Sequence, residues 1–287
     1  MTDGVLLRLA AFTTDPAGGN PAGVWIGSVL PPADEMLAIA AEVGYSETAF
    51  LAPDEAAGAA TAPHAYRVRY FSPLAEVPFC GHATIASGVA LAGRGAPADL
   101  HLRTNDGIVR LHVESGANGA PTATLTSVAP RVNEAPPALV EGVLGFLDWH
   151  ADELDPGLPP AIAYAGAWHL VLATRTLDTL GRMSYPFQPM QALMLEHDLT
   201  TIQLVWRERS DRFRARDPFA VGGVVEDPAT GAAAAALGAY LRDRGEITAP
   251  ASFEIVQGVE MGRPSLLRVS IVPDEPGIRV SGTAVAI

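Results

Sequence analysis

The sequence predicts an α+β protein of two pseudo-symmetric domains, each a mostly antiparallel sheet wrapped around one central buried helix. Three observations lead to this fold class. With 287 residues, the chain is long enough for two domains of ordinary size. Residues 82–93 and 228–241 contain no Asp, Glu, Lys or Arg, and a helix without a charged face is a buried helix. The predicted elements also run in the same order in both halves, which indicates a duplication.

The duplication places the domain boundary near the middle of the chain. Residues 1–127 form the predicted N-terminal domain and residues 128–277 the C-terminal one. The last predicted strand, residues 278–287, is expected to return to the first domain. Because ligands usually bind where domains meet, we expect the substrate between the two.

A repeated motif supports this alignment of the halves. The segment YRVR at residues 66–69 resembles FRAR at residues 213–216. Each is followed by a loop and then by an Ala-Thr step, which ends at Thr84 in the first half and at Thr230 in the second. Threonine is a common N-cap, so we expect each of these residues to begin a buried helix.

Local patterns predict the remaining elements. Alternating apolar residues indicate strands, and apolar residues three and four apart indicate helices. The expected strands lie near residues 5–11, 22–26, 45–51, 66–71, 100–103, 108–114, 122–127, 159–174 (two strands), 201–206 and 252–273. Besides the two buried helices, helices are expected at residues 32–43 and 188–199.

Composition excludes several classes of protein. The net charge is −13 and the chain has no block of Lys or Arg, so a nucleic acid is not an expected partner. No run reaches about 18 apolar residues, and the N-terminus lacks the pattern of a secretory leader, so no membrane partner is expected. The single cysteine permits no internal disulfide. These features favour a cytoplasmic protein.

The reactive residue types lie ahead of the two buried helices. Cys80, Gly81 and His82 precede or begin the first, and Asp227 precedes the second. The unpaired amides of two helix starts would together favour a carboxylate ligand. Glu47 lies in the predicted strand at residues 45–51 and has no counterpart in the second half, which makes it a candidate general acid and base.

Each of these residues also has a structural interpretation. Glu47 could face solvent on an edge strand, and Cys80 could be a buried packing residue. His82 could cap its helix, and Asp227 could complement the helix dipole. The histidines show no metal-ligand spacing, so no metal is assigned.

Five motifs, in order along nearly the whole chain, resemble the PhzF family of phenazine-biosynthesis-like isomerases. They are GNPAGVW at residues 19–25, SETAFL at 46–51, CGHAT at 80–84, EDPATG at 226–231 and QGVEMGRPS at 257–265. The resemblance implies the diaminopimelate epimerase fold and proton-shift or epimerase chemistry without metal or pyridoxal phosphate. It also makes a homodimer plausible.

The resemblance also implies roles for individual residues. By motif, Glu47 moves the proton, and His82 and Asp227 support it. Substrate contacts are implied for Asn20, Cys80, Gly81, Ala83, Thr230, Gly231 and Gln257. The founding enzyme of the family acts on a dihydro-hydroxyanthranilate, so a small carboxylate is the expected substrate.

Two departures from the family pattern leave alternatives open. Ala232 stands where EDPATGS has serine, which removes a hydroxyl. Related epimerases use two opposed cysteines, but the repeat register places Gly81 and Asp227 at those positions, and the only thiol is Cys80. The leading hypothesis is a cofactor-independent isomerase. The alternatives are an epimerase that uses Glu47 and Cys80, or a non-catalytic binding protein.

Overall fold

The computed structural model describes residues 3–54, 64–105, 107–116 and 119–287. The strands, numbered along the chain, are β1 (Gly4–Ala11), β2 (Asn20–Gly27), β3 (Thr48–Pro53), β4 (Ala65–Phe71), β5 (Glu76–Val77), β6 (Asp99–Arg103), β7 (Ile108–Ser115), β8 (Pro121–Thr126), β9 (Arg131–Glu134), β10 (Ala161–Tyr164), β11 (Trp168–Thr174), β12 (Thr201–Arg209), β13 (Arg212–Pro218), β14 (Glu226–Asp227), β15 (Ala251–Gln257), β16 (Ser265–Ile271) and β17 (Arg279–Ala286). The α-helices are α1 (Ala33–Val43), α2 (Gly81–Ala92), α3 (Pro137–Leu147), α4 (Leu177–Gly181), α5 (Phe187–Glu196) and α6 (Gly231–Asp243). Among these helices, none combines the length and the hydropathy that crossing a bilayer would require.

The chain divides into two compact units. The first contains residues 1–126 and 281–287, and the second contains residues 127–280. In the first unit, strands pair in the order β1, β2, β3, β4, β6, β7, β8 and β17, and β17 returns to β1, so the sheet closes on itself. The pairs β2–β3 and β4–β6 are parallel, whereas β1–β2, β3–β4, β6–β7 and β7–β8 are antiparallel.

Helix α2 lies against five strands of this closed sheet. Residues 82–91 are all buried, so a charged side chain at any of these positions would lose its hydration. The packing is close enough to require a glycine at one position. A Cβ atom added to Gly88 would lie 2.6 Å from Leu111 Cδ2 and 3.0 Å from Ala123 Cβ.

Helix α1 packs on a different cluster of the first unit. Met36 on the helix contacts a group of aromatic side chains from neighbouring strands, which includes Trp25, Phe50 and Phe71. Gly44 ends the helix with φ of 72°, a left-handed conformation that glycine adopts without strain. Residues 44–47 then connect α1 to β3.

The second unit repeats the pairing order of the first. Strands β10 to β13, β15 and β16 pair in sequence, with β11–β12 and β13–β15 parallel and the other pairs antiparallel. The two-residue strand β14 pairs with β13, as β5 pairs with β4 in the first unit. The predicted fold class, two α+β halves with mostly antiparallel sheets and one buried helix each, is therefore confirmed.

Helix α6 is the buried helix of the second unit. Residues 233–241 are all buried against strands that include β10, β11 and β16. Gly238 is packed as closely in α6 as Gly88 is in α2. A Cβ atom added to Gly238 would lie 2.8 Å from Ile278 Cγ2 and 2.9 Å from Val269 Cγ1. A separate apolar layer, formed with α3 and α5, packs on the other side of β11 and β12.

The structure corrects two local predictions. Glu47 lies outside β3, which begins at Thr48, because the chain bends at residues 45 and 46 after Gly44 ends α1. The two Ala-Thr steps are also not equivalent. Thr230 is the N-cap residue of α6, but Thr84 lies one turn inside α2, where its hydroxyl donates to the Cys80 carbonyl at 2.7 Å.

The close packing of α2 leads to a prediction for stability. Replacing Gly88 with Val should lower the free energy of unfolding by about 1–3 kcal/mol, because the added atoms overpack the interior. Urea unfolding of Gly88→Val and of Gly145→Val measures the effect. Gly145 is an exposed helical glycine with no atom within 4 Å of an added Cβ. Equal stability losses in the two variants would contradict the close packing of α2.

Candidate active site

Four polar side chains of the first unit meet at the start of α2. Cys80 is the N-cap residue and His82 lies in the first turn. Glu47 comes immediately before β3, and Asn20 is the first residue of β2. Because β2 and β3 are parallel neighbours beside α2, their first residues lie at the end of the sheet where the helix begins.

His82 is at the centre of this group. Its Nε2 atom lies 3.4 Å from Glu47 Oε2, and its Nδ1 atom lies 3.1 Å from Asn20 Nδ2. The Cys80 Sγ atom lies 3.6 Å from Glu47 Oε2 and 3.4 Å from His82 Nδ1. The Ser46 hydroxyl is 3.5 Å from His82 Nε2. The sequence-predicted residues Asn20, Glu47, Cys80 and His82 therefore form one cluster.

The cluster is largely dehydrated but retains a partly exposed carboxylate. The side chain of His82 is 5% exposed and that of Glu47 is 12% exposed. Asn20 and Cys80 are buried. The first-turn amides of α2, which belong to Gly81, His82 and Ala83, have no partner within the helix, and they add a partial positive charge. Such an environment favours an anion beside these residues.

A bidentate ion pair holds the loop ahead of α2. Arg69 on β4 donates from Nε to Glu76 Oε1 at 2.8 Å and from Nη2 to Glu76 Oε2 at 2.6 Å. The pKa of Glu76 is lowered, chiefly by its hydrogen bonds from Arg69. Next to Arg69, Tyr70 forms a 2.7 Å hydrogen bond with the Thr84 hydroxyl, which is bound to the Cys80 carbonyl. The start of α2 is thus fixed to β4.

The second unit contains the same kind of bidentate Arg–Glu ion pair, more deeply buried, and we call each of the two pairs a clamp. Arg216 donates to both carboxylate oxygens of Glu226 at 3.0 Å and 2.6 Å, and these side chains are 10% and 5% exposed. Glu226 lies four residues before the α6 N-cap, Thr230, just as Glu76 lies four residues before Cys80. The clamps therefore pair Cys80 with Thr230, and the earlier alignment of Gly81 with Asp227 was wrong.

Asp227, Thr230 and Gln257 form a hydrogen-bonded group ahead of α6. The Thr230 hydroxyl donates to Asp227 Oδ2 at 2.7 Å. The Gln257 side chain donates to the Asp227 carbonyl at 2.7 Å and accepts from the Thr230 amide at 3.2 Å. Gly231 is the buried first residue of α6, and Ala232 follows it, partly buried. These residues fix the Asp227 carboxylate at the helix start.

Asp217 is a buried acid that the sequence did not single out. It is the cross-strand partner of Asp227 between β13 and β14, and it is fully buried. Within the described ranges, neither of its carboxylate oxygens makes a hydrogen bond of normal geometry, although the Thr230 and Gln257 side chains lie close enough to offset part of the rise in its pKa. Burial raises the pKa of Asp217 well above its usual range, and the charges of Asp227 and Glu226 act in the same direction. Asp217 is therefore held as a neutral acid over a wide pH range.

The site residues predicted from sequence thus fall into two groups. Asn20, Glu47, Cys80, Gly81, His82 and Ala83 belong to the first unit, and Asp227, Thr230, Gly231 and Gln257 to the second. Ala83 is fully buried and offers only its backbone amide. Sequence reasoning missed Glu76, Arg216 and Asp217. The repeated arginines were a signal for the two clamps. The acids were harder to find, because Glu76 lies 7 residues after its arginine and Glu226 lies 10 residues after its own.

Comparison with known proteins gives consistent matches over nearly the whole chain. Residues 9–287 match the family model described as PhzC-PhzF, phenazine biosynthesis-like protein. An uncharacterized isomerase of Deinococcus radiodurans is 32% identical over 97% of this chain and 89% of its own length. The trans-2,3-dihydro-3-hydroxyanthranilate isomerase of Pseudomonas fluorescens is 31% identical over 90% of this chain and 86% of its own length. The crystal structure of a phenazine biosynthesis protein of the PhzF family from Bacillus anthracis is also similar, with a TM-score of 0.86 and 26% identity over 100% of this chain and 97% of that one.

The buried clamp predicts a large effect on stability. Glu226→Gln should lower the free energy of unfolding by about 3 kcal/mol, because it leaves the Arg216 guanidinium buried without its counter-charge. Chemical denaturation measures the change. Asp211→Asn, which removes an exposed ion pair with Arg209, serves as the control and should cause no measurable change. If the two variants unfold alike, the clamp does not hold the loop.

Asp217 predicts a specific pH dependence of stability. Its folded pKa is raised above the unfolded value of about 3.9, so the folded state binds more protons. Its contribution is fully present below the unfolded pKa and is lost as the pH rises through the folded pKa. Relative to Asp217→Asn, the wild type should therefore lose stability from about pH 4 upward. Urea unfolding across a pH series tests this, and parallel curves for the two proteins would refute a neutral buried acid.

Proposed function

This chain belongs to the phenazine biosynthesis-like (PhzC-PhzF) family and is an isomerase, and we propose that it moves a proton between two positions of a small carboxylate-bearing molecule. Glu47 is the proposed proton carrier. The reaction needs no cofactor in this proposal, because the proton that leaves one carbon returns to another and no electrons are gained or lost. His82 and Asp227 complete the proposed catalytic set.

The environment of Glu47 is the observation that carries this proposal. A general base must combine access to the substrate with a controlled protonation state. Glu47 is only 12% exposed, and its Oε2 atom is held 3.4 Å from the His82 ring. A carboxylate of this kind is shielded from bulk water but can still contact a ligand. This supports proton transfer at Glu47.

His82 can hold the Glu47 carboxylate in place. When the Asn20 amide nitrogen donates to Nδ1, the proton of the neutral ring resides on Nε2. That proton faces Glu47 Oε2, so the ring can donate a hydrogen bond to the carboxylate and hold it in place. His82 is therefore proposed to position the base.

The start of α2 is proposed to stabilise the negative charge that develops on the substrate. Deprotonation next to a carboxylate or carbonyl group places negative charge on the substrate, and preorganised amides stabilise such charge. The amides of Gly81 and Ala83 are proposed to do so, with Asn20 and Cys80 in contact with the substrate. In the second unit, Asp227 is held by Thr230 and is proposed to act in the same reaction. Gly231 and Gln257 are proposed to contribute to binding.

The geometry disfavours an epimerase that uses Glu47 and Cys80 as opposed bases. Two opposed bases must flank one carbon atom, and each must lie within about 3–3.5 Å of it, so they are separated by about 6–7 Å. Cys80 Sγ and Glu47 Oε2 are only 3.6 Å apart. No carbon atom fits between them, so the two groups lie on the same side of any substrate.

The family membership supports a choice of first compounds to test. A relative 31% identical is named for trans-2,3-dihydro-3-hydroxyanthranilate, which makes dihydro-hydroxyanthranilates the first compounds to test. Ala232 lacks the hydroxyl of the motif, so the substrate of this chain is expected to differ near that position. The cytoplasmic location and the homodimer stay predictions from the sequence.

Deuterium uptake from heavy water tests the proposal. A panel of small carboxylates, including dihydro-hydroxyanthranilate and amino acids, is incubated with the wild type and with Glu47→Gln. We expect exchange at carbon that falls by about 10²- to 10⁴-fold in the variant, the usual contribution of a general base. Equal exchange in both proteins would show that Glu47 is not the carrier.

Cys80→Ala provides the matched control for the same assay. In the proposed mechanism, Cys80 does not move the proton, so exchange should stay within about tenfold of the wild type. A loss as large as that of Glu47→Gln would instead favour the two-base epimerase. Circular dichroism and thermal melting of each variant separate loss of chemistry from loss of folding.

A further inference from the structure

A row of buried polar side chains in the second unit ends at the start of α6. Asp217 on β13 is the cross-strand partner of Asp227 on β14. Two residues before Asp217, Ala215 is the partner of Gln257 on β15. Because alternate residues of a strand face the same side, the side chains of Asp217 and Gln257 share one face of the sheet. Asp217 is 0% exposed and Asp227 is 5% exposed, so the row runs from the interior to the helix start.

The hydroxyl group of Thr230 lies between the two acids of this row. It donates to Asp227 Oδ2 at 2.7 Å and accepts from the Gln257 amide nitrogen at 3.1 Å. Asp217 makes no hydrogen bond of normal geometry, but Thr230 lies close enough to affect its pKa. A hydroxyl donates one hydrogen and can accept two, so the Thr230 oxygen can also accept from a protonated Asp217. The two carboxyl groups can therefore be connected through one oxygen atom.

The surroundings of Asp217 favour its protonated form. Burial raises the pKa of Asp217, and the charges of Asp227 and Glu226 raise it further. Arg216 and helix α4 lie on the other face of β13, where Arg216 is bound to Glu226. The neutral groups that face Asp217 come from β12, β15 and α6, and they are Gln203, Gln257 and Thr230. Asp217 therefore keeps its proton unless a neighbouring group takes it.

We propose that Asp217 and Asp227 share one proton through the Thr230 hydroxyl, and that this proton lets Asp227 act as an acid toward the substrate. At rest, Asp217 is neutral and Asp227 is ionised. In the transfer, Asp217 gives its proton to the Thr230 oxygen, and the original hydroxyl proton of Thr230 passes to Asp227. One O–H bond breaks and one forms at the hydroxyl, so the net charge of the pair does not change. Negative charge at the start of α6 favours the transfer, because it raises the affinity of Asp227 for a proton.

The catalytic part of this proposal rests on the proposed function, whereas the shared proton does not. A carboxyl group with an ordinary pKa is ionised at neutral pH and would repel an anionic substrate. A proton held by Asp217 can neutralise Asp227 without uptake from solvent. Asp217 does not touch the substrate in this scheme, and it acts only through Asp227.

Infrared spectra of the full chain across a pH series test the shared proton without any substrate. A protonated carboxyl group absorbs in a region where ionised carboxylates do not. We expect such a band in the wild type at neutral pH and its loss in Asp217→Asn. In Asp227→Asn, the pH at which the band disappears should be lower, because the neighbouring charge is removed. A wild type without the band, or a midpoint that Asp227→Asn leaves unchanged, would overturn the proposal.

The catalytic role is measured as deuterium exchange across a pH series, with the compound that the wild type exchanges. Asp217→Asn should lower the exchange rate by about tenfold or more at neutral pH. The ratio of the variant rate to the wild-type rate should rise as the pH falls toward about 4, because solvent then protonates Asp227 directly. A ratio that stays constant would show that Asp217 is only structural. Asp211→Asn, an exposed acid in the turn between β12 and β13, is the control and should leave the rate unchanged.

Thr230→Val tests the route of the proton, because it removes the hydroxyl and keeps the shape of the side chain. Its exchange rate should fall about as far as that of Asp217→Asn, and combining the two changes should cause no further loss. Losses that multiply in the double variant would overturn the route through Thr230. Thermal melts verify that each variant is folded.

Failure of this inference can be told apart from failure of the proposed function. If Glu47→Gln stops exchange but Asp217→Asn does not slow it, the proposed function stands and the role of Asp217 is overturned. If the wild type exchanges no compound, the proposed function fails, and the infrared spectra still decide whether the two acids share a proton.

Discussion

Burial of one charge-free helical stretch in each half, residues 82–91 in α2 and 233–241 in α6, is the constraint on which the rest of this structure depends. Helix α2 is enclosed by a sheet that closes on itself, and α6 is buried among the strands of its own unit. Because these two buried stretches do not meet water, they contain only small, apolar or hydrogen-bonded residues. Close approaches at Gly88 and Gly238 follow from the same requirement. Reactive side chains can therefore stand only at the helix ends, and at the start of α2 they do.

The two Arg–Glu clamps connect this packing to the chemistry. Each fixes a two-residue strand four residues ahead of a helix N-cap, and so determines where Cys80 and Thr230 lie. A bidentate pair defines geometry better than a single contact, because two parallel hydrogen bonds restrict rotation. Small displacements at a reacting centre reduce rates strongly. The clamps thus give the helix starts the positional precision that a proton transfer demands.

Much of this arrangement could be predicted from the sequence, because charge-free runs and repeated motifs report directly on burial and duplication. The cluster of Glu47, Cys80 and His82 required the family resemblance, since the carboxylate lies 33 residues from the thiol along the chain. Local sequence patterns failed where contacts with residues distant in the chain decide the position or the burial of a side chain. Thr84 has the sequence context of an N-cap residue, but it lies inside α2, where its hydroxyl donates to the Cys80 carbonyl. Asp217 is buried without an opposite charge beside it, and no periodicity distinguishes it from an exposed acid.

A crystal structure of Glu47→Gln with the compound that the wild type exchanges would test the central claim most directly. The substituted side chain should keep the position of the native one while stopping turnover. The account predicts that the carbons that lose and gain the proton both lie within about 3.5 Å of that side chain, on the same side of the ligand as Cys80. A ligand bound with those carbons out of reach of residue 47, or placed between it and Cys80, would contradict the account.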